Sequence, residues 1–203
     1  WLSGQMIDVN LAPAMAIRVN FVGELGWEFH HPIEYQNHIF DAIMEAGAEF
    51  GIKPFGIRAM DAMRLEKSYR LVGTELSIEY AALESGLHRF VHLNKCDFKG
   101  QRQLAKWQET GFANKMVTLE VHDTSDADAI GGNPVMTTDG IVVGRATSGG
   151  YGFRLEKSLA LAMVRPDLAT TGTKLMIDVL DQRLAATVLR DSPYDPDNAR
   201  ILA

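Results

Sequence analysis

At 203 residues and 46% hydrophobic content, with unremarkable glycine and proline levels, the chain has enough apolar side chain for a packed core, or for two small ones. Its net charge of −6, with acids and bases interspersed, argues against nucleic acid as the main partner, because binding phosphates needs a concentrated basic surface. The single cysteine, Cys96, precludes an intrachain disulfide and a thiolate metal cluster and fits a reducing compartment, and no apolar run approaches the roughly 20 residues that span a bilayer.

In chain order, Met15–Val22 alternates towards strand character. Gly23-Glu24-Leu25-Gly26 supplies turn chemistry, and Trp27-Glu28-Phe29 returns as the second arm of a hairpin. Tyr35, Ile39, Ile43 and Ala46 recur at near-helical spacing and predict a helix from Ile33 to Phe50, ended by Gly47, Gly51 and Pro54. A second helix is expected from about Gly56 to Tyr69. The alternation Leu87, Arg89, Val91, Leu93 predicts a strand, and a short helix should follow Asp97-Phe-Lys-Gly100 through Trp107. This is an α+β pattern.

After Lys115 the character changes. Met116–Val121, Val135–Thr137, Ile141–Thr147, Leu159–Val164, Lys174–Val179 and Arg183–Leu189 are short strand candidates at regular spacing. Asp139-Gly140 is a strong two-residue hairpin signal, because glycine accepts the positive φ the turn requires. Six such strands predict a small antiparallel barrel or sandwich. The polar stretch Gln108–Asn114 marks a boundary, giving a division into 1–110 and 111–203.

Two groups of residues could carry chemistry, and two others resemble sites without being them. Glu28, set between Trp27 and Phe29, offers two coplanar acceptor oxygens that match the adjacent N–H donors of a 2-amino-4-oxo-pyrimidine edge, as in a pterin. The plainer alternative is an exposed strand acid paired with a lysine. Arg58, Asp61 and Arg64 recur every three residues; they form either an intrahelical ion-pair chain or a helix start whose Arg58 faces a ligand. The histidines do not suggest a metal site, since His30 and His31 point to opposite strand faces and no carboxylate or thiolate at ligand spacing completes a tetrahedron. Ser148-Gly-Gly-Tyr-Gly152 lacks the Gly-Lys-Ser/Thr ending of a phosphate loop and instead marks a bend where backbones approach closely.

The ordered set Arg18-Val-Asn-Phe-Val-Gly-Glu-Leu-Gly-Trp-Glu28, Gly56-Ile-Arg-Ala-Met-Asp-Ala-Met-Arg-Leu-Glu66, Gly73-Thr-Glu-Leu76, Leu83-Glu-Ser-Gly-Leu87, Asp97-Phe-Lys-Gly100, Gly144-Arg-Ala-Thr-Ser-Gly149, Lys157-Ser-Leu-Ala160 and Ser192-Pro-Tyr194 resembles the folate-binding family of the glycine-cleavage T-protein, or aminomethyltransferase. Within it, the wording of the first segment and of Arg64-Leu-Glu-Lys-Ser-Tyr-Arg70 is most similar to dimethylglycine and sarcosine dehydrogenases. The resemblance implies the second half of an α/β folate-binding domain with ferredoxin-like β-α units, followed by a small antiparallel β-barrel. It implies tetrahydrofolate as cofactor, with Glu28 accepting the pterin's N–H donors, Arg58 as a folate-site arginine and Tyr194 as an aromatic that closes the site. Phe21 stands where a tyrosine is common, keeping the apolar face and losing a hydroxyl.

The family's catalytic aspartate has no counterpart among these residues and is expected upstream, as is any FAD site; a chain beginning with Trp1 fits a piece of a larger protein. The expected partners are folate, a small N-methylated amine and an FAD domain in cis or in a partner chain, with neither nucleic acid nor membrane. Three functions are compatible with the resemblance: an FAD-linked dimethylglycine or sarcosine dehydrogenase that passes the methyl-derived carbon to tetrahydrofolate, a glycine-cleavage aminomethyltransferase or folate-dependent demethylase, and a folate-binding module without turnover. The implied location is the cytoplasm in a bacterium and the mitochondrial matrix in a eukaryote.

Overall fold

The structure, a computed structural model, describes residues 2–124 and 127–202. The chain forms two compact units: unit 1 comprises Trp1–Asp61 with Asp197–Ala203, and unit 2 comprises Ala62–Pro196.

Unit 1 is a three-stranded antiparallel sheet, β1 (Gly4–Val9), β2 (Ala12–Ile17) and β3 (Glu28–His30), in that spatial order, with helix α1 (Gln36–Gly47) extended by 3₁₀ turns at Ile33–Tyr35 and Ala48–Phe50. The predicted hairpin is present as β2 and β3, with Ile17 opposite Glu28, although Arg18–Trp27 connects them as a loop rather than continuing the strand. Strand β1 escaped the sequence reading. It joins β2 through Asn10-Leu11, both at positive φ (46° and 72°), a two-residue loop in which such angles match the twist of the strands. Small residues let α1 sit close to the sheet: Ala12 and Ala14 are buried with Ile39, flanked by Val9 and Ile43.

Helix α2 (Ile57–Glu66) contains the boundary between the units. In unit 2, helix α3 (Gln101–Thr110) precedes six strands: β4 (Lys115–Val121), β5 (Pro134–Met136), β6 (Val142–Gly152), β7 (Lys157–Val164), β8 (Lys174–Val179) and β9 (Gln182–Leu189). They close into an antiparallel barrel in the order β4-β7-β6-β5-β8-β9. A short helix, α4 (Ala199–Leu202), ends the described chain. The alternation read from the sequence is the barrel's inside–outside pattern, with Val117, Leu119 and Val121 of β4 and Leu175, Ile177 and Val179 of β8 sharing one core. A turn forms at Asp139-Gly140 with Gly140 at φ 90°, but as a three-residue loop over 138–140, closed by the Thr137 N–H donating to the Ile141 carbonyl, rather than the two-residue turn expected.

The strand expected at Leu87–Leu93 is absent. His88–Phe90 is a 3₁₀ turn, with the Phe90 N–H donating to the Leu87 carbonyl and the Val91 N–H to that of His88. Alternation becomes a strand only where a neighbouring strand supplies ladder partners; here the backbone groups are satisfied locally.

Within unit 2, residues from Arg64 to Ser85 pack on the outside of the barrel, so β7 is buried along both faces from Ser158 to Val164. Glycine also permits close approach within unit 2's barrel region itself. A Cβ on Gly149 would lie 2.0 Å from the Ala129 carbonyl oxygen, and one on Gly144 would lie 2.2 Å from that of Met163. The expected close-approach bend at Ser148–Gly152 is therefore part of the barrel wall.

Candidate functional site

Glu28 opens β3 opposite Ile17, and Met15 lies opposite His30 two residues on. Strand alternation puts Glu28 and His30 on one face of the unit 1 sheet and Phe29 on the other, the face that carries Ala12, Ala14 and Ala16. The Glu28 carboxylate lies 3.4 Å from the His30 ring, with the two side chains 52% and 60% exposed. Its setting is thus more open than the partly buried pocket suggested by its aromatic neighbours. Those neighbours, Trp27 and Phe29, line a cavity of about 360 Å³ with Gln5, Ile7 and Ala16.

The loop before Glu28 has a fixed shape. The Asn20 side chain accepts the Gly23 N–H at 2.8 Å, and Gly23 occupies φ 77°. A Cβ on Gly26 would lie 2.9 Å from that of Asn20. The Arg18 guanidinium lies 6.0 Å from the Trp27 ring centre, at the outer limit of a cation–π contact. Phe21 is half-buried within this loop, and Arg58 is exposed in the first turn of α2. Glu28, Phe21 and Arg58 therefore all belong to unit 1, and Tyr194 belongs to unit 2.

Tyr194 is held by its backbone. Its N–H donates to the Glu66 carbonyl at 2.9 Å, and its carbonyl accepts from Lys67 Nζ at 3.3 Å. Its ring lies 4.6 Å from the Arg154 guanidinium carbon. Ser192 and Asp191, just before it, are tied to Ser68 and Arg70. The strap from Asp191 to Asp195 is thereby fastened to the segment that follows α2.

That segment holds what the sequence reading missed. Arg64, the last of the Arg58, Asp61 and Arg64 series, is buried rather than solvated and lies 3.4 Å from Glu75. Thr147 and Ser148 each donate to Glu75 Oε1 at 2.6 Å, and the Leu71 N–H and Thr74 hydroxyl donate to Oε2. A bulge in β6 between Ala146 and Ser148 makes this possible, since neighbouring residues of a regular strand would point to opposite faces. Burial pushes the Glu75 carboxyl up, but the hydrogen bonds from Ser148, Thr147, Leu71 and Thr74 outweigh it and hold the group below its ordinary range. Glu66 accepts the Arg154 and Leu155 N–H groups, Glu84 accepts those of Ala81 and Asn114, and Lys67 Nζ donates to the Asp195 carbonyl. The signal available in the sequence was the density of charge in Arg64-Leu-Glu-Lys67, followed closely by a further acid in Gly73-Thr-Glu75. Its partners lie up to 128 residues away.

Among the described residues, no group of three or more His, Cys, Asp or Glu side chains is placed to hold a metal ion, and no helix is long and apolar enough to cross a membrane.

Comparison with known proteins agrees with this architecture. The model of the GCVT N-terminal domain matches residues 1–95, and that of the glycine cleavage T-protein C-terminal barrel domain matches residues 114–195. The chain is 38% identical to mitochondrial dimethylglycine dehydrogenase of Homo sapiens over 192 residues, covering 94% of this chain and 22% of that protein. It is 32% identical to an aminomethyltransferase of Thermoanaerobacter pseudethanolicus over 181 residues, covering 87% of this chain and 47% of that one. The crystal structure of the glycine cleavage system aminomethyltransferase T from Bartonella henselae shares the fold, with a TM-score of 0.83 at 19% identity over 95% of this chain and 52% of that one. The chain thus spans between about a fifth and a half of the length of these relatives. Two family models in the right order, with the barrel model falling on the six closed strands, establish that the chain belongs to the glycine-cleavage T-protein family.

Proposed function

We propose that this chain is the tetrahydrofolate-binding portion of a one-carbon-transferring enzyme, an FAD-linked dimethylglycine or sarcosine dehydrogenase whose product is 5,10-methylenetetrahydrofolate. The observation that carries the reading is Glu28: a carboxylate displayed on the open face of the unit 1 sheet, within the residues that the GCVT N-terminal domain model matches. Its two acceptor oxygens suit the amino and ring N–H donors of a pterin. An exposed carboxylate gives up little hydration until a ligand supplies donors, which is the setting a reversible contact requires.

Tetrahydrofolate, when bound, supplies the nitrogens that take up a one-carbon unit. The residues of this chain bind and orient it. Glu28 fixes the pterin edge, Phe21 offers an apolar face without a hydroxyl, Arg58 contributes positive charge and Tyr194 an aromatic contact. Their contribution is positioning, which lowers the entropic part of a transfer barrier. Amine oxidation belongs to an FAD domain outside these residues, and the family's catalytic aspartate likewise. Residues 1–110 constitute the folate portion and 111–203 the barrel portion. The small N-methylated amine is the other substrate, and the mitochondrial matrix or the bacterial cytoplasm is the location.

The 32% identity to an aminomethyltransferase favours a second reading, transfer from an aminomethyl carrier to folate without FAD. A dinucleotide-binding fingerprint in the longer coding sequence separates the two. Calorimetric titration with tetrahydrofolate tests the shared element: Glu28→Gln should weaken binding about tenfold or more, as expected for loss of a charge-assisted pair of hydrogen bonds. Equal affinities for the wild type and the variant would overturn the pterin contact.

A further inference from the structure

Within unit 2, beside strands β5, β6 and β7, a cavity of about 430 Å³ has the volume of a small-molecule site. Pro134, Val142 and Met163 supply apolar wall, and Gly144 adds no side chain between them. The polar lining is Tyr80, Asn114 and Arg145, and each group has a fixed role. Arg145 Nε donates to the Tyr80 hydroxyl at 2.8 Å, and Nη2 donates to the Glu79 carboxylate. Those contacts fix the guanidinium, 5.7 Å from the Tyr80 ring centre, and leave Nη1 without an acceptor among the described residues. Because the Tyr80 oxygen accepts from Arg145, its own O–H remains to donate. Asn114 Nδ2 donates to Glu84 Oε1 at 3.2 Å. A carboxylate takes only donors, so this bond settles the amide orientation and leaves Asn114 Oδ1 as an acceptor.

The charge balance narrows what fits. Glu79 already compensates Arg145, so an anion arriving there gains little and also meets the Glu79 carboxylate. A neutral group avoids that repulsion. A carboxamide offers an acceptor oxygen to Arg145 and Tyr80 and N–H donors to Asn114, whereas a carboxylate has no donor to give. We propose that this cavity is a binding site for a small aliphatic carboxamide, its apolar body against Pro134, Val142 and Met163 and its amide between Arg145, Tyr80 and Asn114. None of these residues is among those assigned to folate, so the proposal stands or falls independently of that reading.

The test titrates the full chain with two probes that share one apolar body, isovaleramide and isovalerate, and reads binding by ligand-detected NMR. The proteins are the wild type, Glu79→Gln, Arg145→Ala and Tyr80→Phe. The wild type should bind isovaleramide saturably and isovalerate about fivefold more weakly or worse. Arg145→Ala and Tyr80→Phe should each weaken isovaleramide about three- to tenfold, the loss expected for one or two hydrogen bonds. Glu79→Gln releases the guanidinium charge, so isovalerate affinity should rise about fivefold while isovaleramide affinity changes little. A merely structural role for these residues would not move the preference between the two head groups. The proposal is overturned if the wild type shows no saturable isovaleramide binding or binds both probes equally. It is likewise overturned if Arg145→Ala binds isovaleramide as well as the wild type, or if Glu79→Gln leaves isovalerate affinity unchanged. Arg145 and Glu79 have half-exposed side chains, so both of their variants should unfold at nearly the wild-type temperature.

Discussion

Inside unit 2, the Arg64 guanidinium stands 3.4 Å from the Glu75 carboxylate, with both side chains almost entirely removed from water. Glu75 also takes hydrogen bonds from Thr147 and Ser148 of the barrel and from Leu71 and Thr74 beside it. One carboxylate therefore joins the end of α2, the following loop and the bulge of β6. Removing it strips a buried cation of a partner and takes an acceptor from three hydroxyls, of which Thr147 and Thr74 also reach the Leu161 and Leu71 carbonyls. Glu75→Ala should cost about 3–5 kcal/mol, the usual penalty for breaking a buried pair from one side, and urea unfolding measures it.

The same group gives stability a pH dependence. The folded-state value lies below the ordinary glutamate value of 4.5. Between the two values the unfolded chain binds more protons than the folded one, so stability falls as the solution is acidified. The contribution is complete above 4.5 and disappears as pH drops through the depressed folded value. Urea midpoints followed from pH 7 to pH 3 should fall more steeply for the wild type than for Glu75→Gln, which has no carboxyl to titrate. Parallel curves would refute the assignment.

The barrel wall makes a prediction of its own. At Gly149 an added Cβ meets the Ala129 carbonyl oxygen at 2.0 Å, a contact with backbone that a rotamer change cannot relieve. At Gly150 it meets only the tip of the Leu65 side chain, at 3.2 Å. Gly149→Ala should destabilise by about 1–3 kcal/mol, with Gly150→Ala clearly milder, as measured by thermal unfolding of the two variants side by side.

The β1–β2 turn can be improved. Leu11 sits at φ 72° with 91% of its surface exposed, so it bears the cost of a left-handed backbone without compensating burial. Leu11→Gly converts the turn to Asn-Gly, the preferred pair for a loop of this kind, and should stabilise unit 1 by about 0.5–1 kcal/mol after the added freedom of the unfolded chain is subtracted. A lower unfolding midpoint in the variant would show that the Leu11 side chain contributes something its exposure conceals.

Local pattern determined much of this protein. Alternation and turn residues after Lys115 specify six strands, and Lys174–Val179 has the predicted limits, because in a barrel every strand has one face in the core and the period of two is enforced along its length. Helical spacing from Ile33 to Phe50 likewise produces α1 with its flanking turns. The tertiary structure decided what no local rule contains. Leu87–Leu93 alternates as a strand should, yet it has no neighbouring edge to pair with and turns instead. Glu66, Lys67 and Glu75 look in sequence like a solvated helix face and loop, and are buried because their partners arrive from the barrel and the strap, about 70 to 130 residues further along. Burial of a charge depends on what packs over it, and that is a property of the assembled fold rather than of the segment.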